Sequence, residues 1–464
     1  MSLPIDFVTR TQALLGDEFI RLEEALQADP PVSVRLNRDK CATIPVGGDP
    51  VAWCETGFYL PERLSFTFDP LFHAGAYYVQ EAASMFLEQA VKAYVFGSVR
   101  CLDLCAAPGG KSTHLASLLP KGSLLVSNEV IRSRSQVLAE NLAKWGRPDT
   151  VLLNNDPEEI GRVLPHFFDL VVADVPCSGE GMFRKDRASV GEWSVDNVRL
   201  CASRQRRIIC DVWDALRPGG LLIYSTCTYN TEENEDNIHY IVDELGAEVL
   251  PLQIPMGWQV TGSFHYAYPV YRFFPHKTRG EGFFLAVLRK AEGERKEIRL
   301  KSKMKKEQKG KATLSFSGKM GEFLGEKEEF KYVWRDNFLY AYPLSWADLM
   351  PFFIEKPLRV LAAGICLGES KGKDFVPSQE LALSTALRPN AFPSVDLSWQ
   401  EAIRFLRKEA VILPADTEKG YVLVRYQKLP LGFLKNLGNR TNNLYPQEWR
   451  IRTNHLPEEI RLLS

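Results

Sequence analysis

Two cysteines stand in settings where a thiol can do chemistry. Cys177 lies in Asp174-Val175-Pro176-Cys177-Ser178-Gly179-Glu180-Gly181, and Cys227 in Ser225-Thr226-Cys227-Thr228-Tyr229-Asn230. Each closes an apolar run, FDLVVADV (168–175) and GGLLIYSTC (219–227), and opens a turn rich in small polar residues. A thiol there can attack an electron-poor carbon, and a second thiol beside it can help release the product. A free cysteine is more often a small buried hydrophobe, and that reading is preferred for Cys101, Cys201 and Cys210. The nine cysteines include no C-x-x-C pair and no Cys/His quartet at zinc spacing, so neither a disulfide framework nor a metal is expected.

The thiols need a partner reagent, and a second motif supplies its place. Leu102-Asp103-Leu104-Cys105-Ala106-Ala107-Pro108-Gly109-Gly110-Lys111 ends an apolar run and leads into a helical pattern. Small residues there let the backbone approach a ligand, and a helix N-terminus adds donors. Glu129 ends the next run, 20 residues beyond Gly109, where an acidic side chain commonly grips ribose hydroxyls. Asp156 and Asp174 follow the third and fourth runs, so that with Asp103 four carboxylates converge on one cleft. Each singly could be a helix or turn cap. G-x-G-x-x-G is absent, which disfavours a nicotinamide dinucleotide and favours a cofactor without a pyrophosphate. Cytosine fits such an assembly. Its C5 is a poor nucleophile until a thiolate adds to C6, and the charge then placed near N3 and O2 can be met by Asp174 and Lys111.

These residues require a scaffold. Strands are predicted at 99–105, 123–129, 151–155, 168–175 and 219–227, alternating with helices at 111–119, 131–145, about 196–216 and 231–244. That alternation is the pattern of a parallel α/β sheet, with 282–290 as a late antiparallel edge strand. The expected layout is a substrate-side domain at 1–96, the catalytic domain at 97–290, a basic linker at 291–312, a small α+β domain at 313–388 and a last unit at 389–464. The stretch 289–311 holds eleven Lys/Arg against four Glu and reads either as a solvated tether or as a phosphate contact. The overall charge of −1 decides nothing about nucleic acid, because positive charge can be local. No signal-peptide core or membrane-spanning run is present, so a soluble chain in the reducing cytoplasm is expected.

CAAPGGK, DVPCSGEG and STCTYN-x-E-E-N-E in this order, with SVRLN (33–37) and AGAYYVQEAASM (74–85) upstream, resemble the RNA cytosine-C5 methyltransferase family of RsmB/NSUN type. The later segments 368–383 and 419–450 are similar to the C-terminal region of its RsmF branch. The resemblance implies a class I S-adenosylmethionine-dependent, Rossmann-like core with an N-terminal α+β domain and C-terminal α+β and PUA-like domains. It implies S-adenosylmethionine held by Cys105–Lys111, with Glu129 at the ribose, Asp156 at the adenine and Asp174 at the methionine end or target base. Cys227 becomes the nucleophile and Cys177 the release residue. The substrate implied is a cytosine in 16S rRNA or the small ribosomal subunit. The alternatives are a transfer RNA or another rRNA site, or an RNA-binding assembly factor with a vestigial fold. A monomer is the default expectation. Candidate RNA contacts are Arg184, Lys185, Arg187, Arg204, Arg206 and Arg207, then Lys428, Lys435, Arg440 and Arg450.

Overall fold

The apolar runs of the middle of the chain assemble into a nine-stranded sheet, seen in a computed structural model that describes residues 3–41, 45, 47–294, 323–325, 330–372, 374–453 and 459–463. Its strands are β1 (Arg100–Asp103), β2 (Leu124–Asn128), β3 (Thr150–Leu153), β4 (Phe168–Asp174), β5 (Leu216–Thr226), β6 (Glu248–Leu250), β7 (Tyr271–Phe273), β8 (Phe283–Arg289) and β9 (Val360–Ala363). Along the sheet the order is β6-β8-β5-β4-β1-β2-β3-β9, with β7 pairing beside β6 on β8. The five central strands run parallel. Helices α1 (Gly110–Leu118), α2 (Arg132–Trp145), α3 (Pro157–Val163), α4 (Val195–Trp213) and α5 (Glu235–Leu245) complete this unit. Leu102, Val126, Val171 and Leu222 pack with Ile208 and Ile209 on one face. Cys101, Leu125, Leu170 and Ile223 pack with Leu87 and Leu115 on the other, which is why these strands read as unbroken apolar runs.

Two sequence expectations change. The segment 282–290 is antiparallel as expected, but it is not an edge. β8 lies between β5 and the short strands β6 and β7, and Phe283–Leu288 are all buried. An Phe-Phe-Leu-Ala-Val-Leu run apolar at both parities already demands cover on both faces. The sheet also does not end at β3, because β9 from the supposedly separate C-terminal region pairs antiparallel with it. The basic linker lies, from residue 295 on, outside the described residues.

Helices Ile5–Leu15 and Glu18–Gln27 bring Phe7, Phe19, Leu22 and Leu26 against Phe183, Trp193, Val198 and Tyr229, behind the cysteine turns. A four-stranded sheet follows, and its strand Val32–Leu36 carries the SVRLN segment. Arg35 is wholly buried there: Nε donates to Gln80 Oε1 at 2.8 Å, Nη2 to Thr113 Oγ1 at 2.6 Å, and the guanidinium lies 4.4 Å over Trp145. Burial pulls its pKa down to about 10. One cation thus ties the N-terminal sheet to helix α1. Near the C-terminus, strands Ser394–Asp396, Gly420–Tyr426, Leu429–Asn436 and Thr441–Asn443 form a further sheet. Its Leu434, with Ala402 and Phe405 of the helix Trp399–Leu406 and with Tyr445, shares one core with Val34, Leu36 and Phe58 of the N-terminal sheet and with Leu71. Among the described residues no helix is long and apolar enough to cross a membrane.

Candidate active site

The turn after β1 is held from behind. Arg134 Nη2 donates to the Ala107 carbonyl and Asn141 Nδ2 to that of Pro108, each at 2.8 Å, so α2 grips Ala107-Pro108 by its carbonyls. Gly109 has φ +116°, and a Cβ there would meet Leu138 Cδ1 at 3.2 Å and Asn141 Cβ at 3.3 Å. Only glycine serves at that position. Gly110 begins α1, and Lys111 follows on its first turn. Cys105 is a half-buried wall residue whose thiol burial pushes upward.

The acidic side chains occupy the carboxyl ends of β1 to β4, but they are engaged unequally. Glu129 is buried; its Oε1 accepts from the Ile131 amide at 2.9 Å, and Arg134 Nη1 stands 3.5 Å from its Oε2. Asp156 is exposed at the rim and caps α3, accepting from the Glu158 amide at 3.1 Å. For this residue the cap reading holds alongside any ligand role. Asp103 is buried with Oδ2 accepting from Ser112 Oγ at 2.6 Å, while its Oδ1 has no hydrogen-bond partner. Burial drives that carboxyl up to about 7. Asp174 takes Ser225 Oγ at 2.7 Å on Oδ1 and Lys111 Nζ at 2.8 Å on Oδ2. Burial lowers the Lys111 ammonium, but the charge and hydrogen bond of Asp174 outweigh it and leave it raised.

The two cysteine turns face each other. Cys177 Sγ and Cys227 Sγ are 3.1 Å apart, both as free thiols. The hydrogen bond with Cys227, then burial, pushes the Cys177 thiol upward, so it stays protonated. Gly181 and Gly282 pack back to back, and a Cβ on Gly181 would lie 2.7 Å from Gly282 Cα. Sequence reasoning missed what fixes this geometry. Glu180, from the Cys177 turn, accepts Thr228 Oγ1 at 2.7 Å and the Tyr229 and Asn230 amides at 2.8 and 2.9 Å on one oxygen. Its other oxygen accepts Trp193 Nε1 and Asn230 Nδ2. Glu233, from the Cys227 side, reaches back to the Ser178 amide at 3.0 Å and also accepts from Gln205 and Asn230. Burial raises Glu233 to about 7 although three donors point at it. The signal was present in both quoted motifs: a glutamate in a turn on each side of the thiol pair.

The candidate RNA contacts divide. Arg184 is consumed internally, pairing with buried Glu281 at 2.9 Å and donating to the Gly280 and Ala25 carbonyls. That corrects its assignment as a phosphate contact. Arg206 donates to Asn237 and lies over Tyr240, Arg204 contacts Cys201, and Lys435 pairs with Asp374. Lys185, Arg187, Arg207, Lys428, Arg440 and Arg450 are exposed. Cys54, Glu88 and His114 also meet in the interior, where His114 Nε2 lies 3.2 Å from Glu88 Oε2 and 3.8 Å from Cys54 Sγ. Lys92 sits 2.7 Å from the same carboxylate and supplies the cation it requires.

A glycine turn after β1, carboxylates on the ends of β1 to β4, an unfilled buried acceptor at Asp103, and the order β3-β2-β1-β4-β5-β8-β6 define a class I S-adenosylmethionine-dependent methyltransferase. Comparison with known proteins takes this further. Residues 97–289 match the model for 16S rRNA methyltransferase RsmB/F, and residues 3–82 the N-terminal domain of 16S rRNA methyltransferase RsmF. Residues 319–385 match the first C-terminal domain of RsmF rRNA methyltransferase, and 392–451 the methyltransferase RsmF PUA domain. Ribosomal RNA small subunit methyltransferase F of Erwinia tasmaniensis is 31% identical over 96% of this chain and 96% of its own length. The Escherichia coli protein of the same name is 32% identical over 90% of this chain and 89% of its own. A methyltransferase homologue from Pyrococcus horikoshii superposes with a TM-score of 0.53 at 29% identity, over 61% of this chain and 94% of that one. NSun6 from the same organism, solved with SFG, gives a TM-score of 0.53 at 20% identity over 62% and 99%, a likeness of fold. The chain belongs to the RsmB/F family of rRNA methyltransferases: it is an S-adenosylmethionine-dependent RNA methyltransferase with a PUA-like C-terminal domain.

Proposed function

We propose that this enzyme methylates C5 of a cytosine in small-subunit ribosomal RNA, through a covalent bond between Cys227 Sγ and C6 of the base. The observation that carries this is the pair of free thiols 3.1 Å apart, beside the Lys111–Asp174 pair. The residues fit the cofactor: the Cys105–Lys111 turn would carry it, the unpartnered Asp103 Oδ1 would take its ammonium, Glu129 its ribose hydroxyls and Asp156 its adenine side. When bound, it supplies an electrophilic methyl group.

The chain's own residues do the rest. The target base must leave its stack to reach thiols at the cleft floor. Asp174, an acceptor paired with Lys111, takes the Cys227 proton and passes it to N3 as the thiolate adds to C6, while Lys111 sets positive charge at the O2 edge. After methylation the C5 proton passes to solvent, the C5–H electron pair restores the C5–C6 double bond, and the C6–S pair leaves with Cys227, which recovers the proton from N3. Cys177, held protonated in contact with Cys227, assists that departure. Retention of Asp174, Lys111 and both thiols disfavours a vestigial fold. The N-terminal unit (1–96) and the last unit (389–464) sharing one core favours a single RNA-facing body flanking the catalytic domain (97–290).

The test is product analysis. Purified enzyme is incubated with small-subunit rRNA, assembled small subunits or transfer RNA and a methyl-labelled cofactor, and the RNA is digested to nucleosides. Label in 5-methylcytidine from small-subunit RNA is expected. Label in another nucleoside overturns the cytosine assignment, and label from transfer RNA alone moves the substrate.

A further inference from the structure

The backbone that carries Glu129 is braced by a residue from beyond the catalytic domain. β9 pairs with β3 through its main chain, the Asn154 amide donating to the Arg359 carbonyl and the Gly364 amide to that of Thr150, each at 3.0 Å. Arg359 then makes two bonds that no ladder requires. Its amide donates to Asn155 Oδ1 and its Nη1 to Asn154 Oδ1, both at 3.0 Å.

Those asparagines organise the ends of the neighbouring strands. Asn154 Nδ2 donates to the carbonyls of Glu129 at 2.6 Å and Val130 at 3.0 Å. Asn155 exchanges bonds with Asn128, its amide donating to Asn128 Oδ1 at 3.0 Å and its carbonyl accepting from Asn128 Nδ2 at 3.0 Å. Asn128 Nδ2 also donates to the Leu104 carbonyl at 3.2 Å, so the relay reaches the start of the glycine turn. An amide side chain has a donor end and an acceptor end. With the Nδ2 of buried Asn154 committed to two carbonyls, its Oδ1 needs a donor, and Arg359 provides a charged one. Remove that donor, and the oxygen is left an unmet acceptor, so the Asn154 amide loses the anchor that aims its Nδ2 at the Glu129 and Val130 carbonyls.

We propose that Arg359 is a positioning residue for the cofactor: through Asn154 it holds the Glu129 backbone, and hence the carboxylate, in place. This rests on the reading that Glu129 grips the ribose. The test uses the full-length enzyme and calorimetric titration with S-adenosylhomocysteine, alongside the KM for cofactor and for RNA. Arg359→Ala should weaken binding roughly fivefold and raise the cofactor KM similarly, leaving kcat and the KM for RNA within twofold. Arg359→Lys, which keeps a charged donor, should restore part of the loss. Asn154→Ala should give the same loss, and the double variant no more than either single one. Binding within twofold of wild type in Arg359→Ala overturns the proposal, as does full additivity. If Arg359→Ala fails to fold, Asn154→Ala alone decides by the same twofold criterion. Glu129→Gln separates the two readings. Unchanged binding in that variant removes the ribose assignment, whereas loss there with none in Arg359→Ala removes only the role of Arg359.

Discussion

The two halves of the cleft are built on opposite plans. The cysteine half satisfies itself: Glu180 and Glu233 between them accept from the backbone or side chains of Ser178, Thr228, Tyr229 and Asn230, so both turns are locked before any ligand arrives. The cofactor half leaves groups waiting. Asp103 Oδ1 lacks a partner, and Glu129 and Asp156 take only local backbone amides, with Arg134 3.5 Å from Glu129. On the proposed assignment the contrast separates the two jobs. A nucleophile must already be placed when the base arrives, whereas a cofactor contributes the hydrogen bonds that its site lacks.

If the halves are so divided, damage to one should spare the other. The largest effect is expected from the thiols. Cys227→Ala should reduce methyl transfer by at least about a thousandfold, with S-adenosylhomocysteine affinity within twofold. Cys177→Ala should instead accumulate a protein–RNA adduct that survives denaturing electrophoresis. An active Cys227→Ala, or an inactive Cys177→Ala without adduct, breaks the assignment of roles. A smaller effect should follow from Glu180→Gln, which turns a donor toward the donors it now accepts from. A fall in kcat of roughly tenfold to a hundredfold and a stability loss of about 2 kcal/mol are expected, with cofactor affinity unchanged. Weakened cofactor binding in that variant would show the halves to be coupled.

The smallest effect tests the outer surface. Charge reversal of Lys428, Arg440 and Arg450, all exposed, should weaken RNA binding by roughly tenfold at low salt and make the salt slope shallower, with cofactor affinity unaffected. An unchanged salt slope would remove the C-terminal unit from RNA binding. Substitution is the cleaner route, since deletion of this unit would strip the cover from Val34, Leu36 and Phe58.

Much of this was legible in the residues. The central strands carry adjacent apolar residues that face both sides of the sheet because both faces are covered, so β1, β2, β4 and β8 announce themselves. The motifs around Cys105–Lys111, Cys177 and Cys227 sit at strand ends, where topology must bring them together. Less could be read where the cause is tertiary. Glu180 resembles any acidic turn residue until its five donors are seen. Arg184 looks like a free cation until Glu281, 97 residues away, neutralises it. The short run 360–363 carries no sign that its partner lies in β3, and the shared core of the terminal units leaves no local pattern.

β9 also bears on how the molecule comes into being. Arg359 and Asn154 are separated by 205 positions, so on the ribosome β3 emerges long before the strand that will cover it. Until then the catalytic sheet presents a row of unpaired amides and carbonyls along β3, the kind of open border on which nascent chains stick to one another. A shortened version ending after β8 would keep that border permanently, and its insolubility would reflect an exposed seam rather than a missing recognition module. The late strand acts as a hem, closing the fabric only once the chain beyond the catalytic domain has been made.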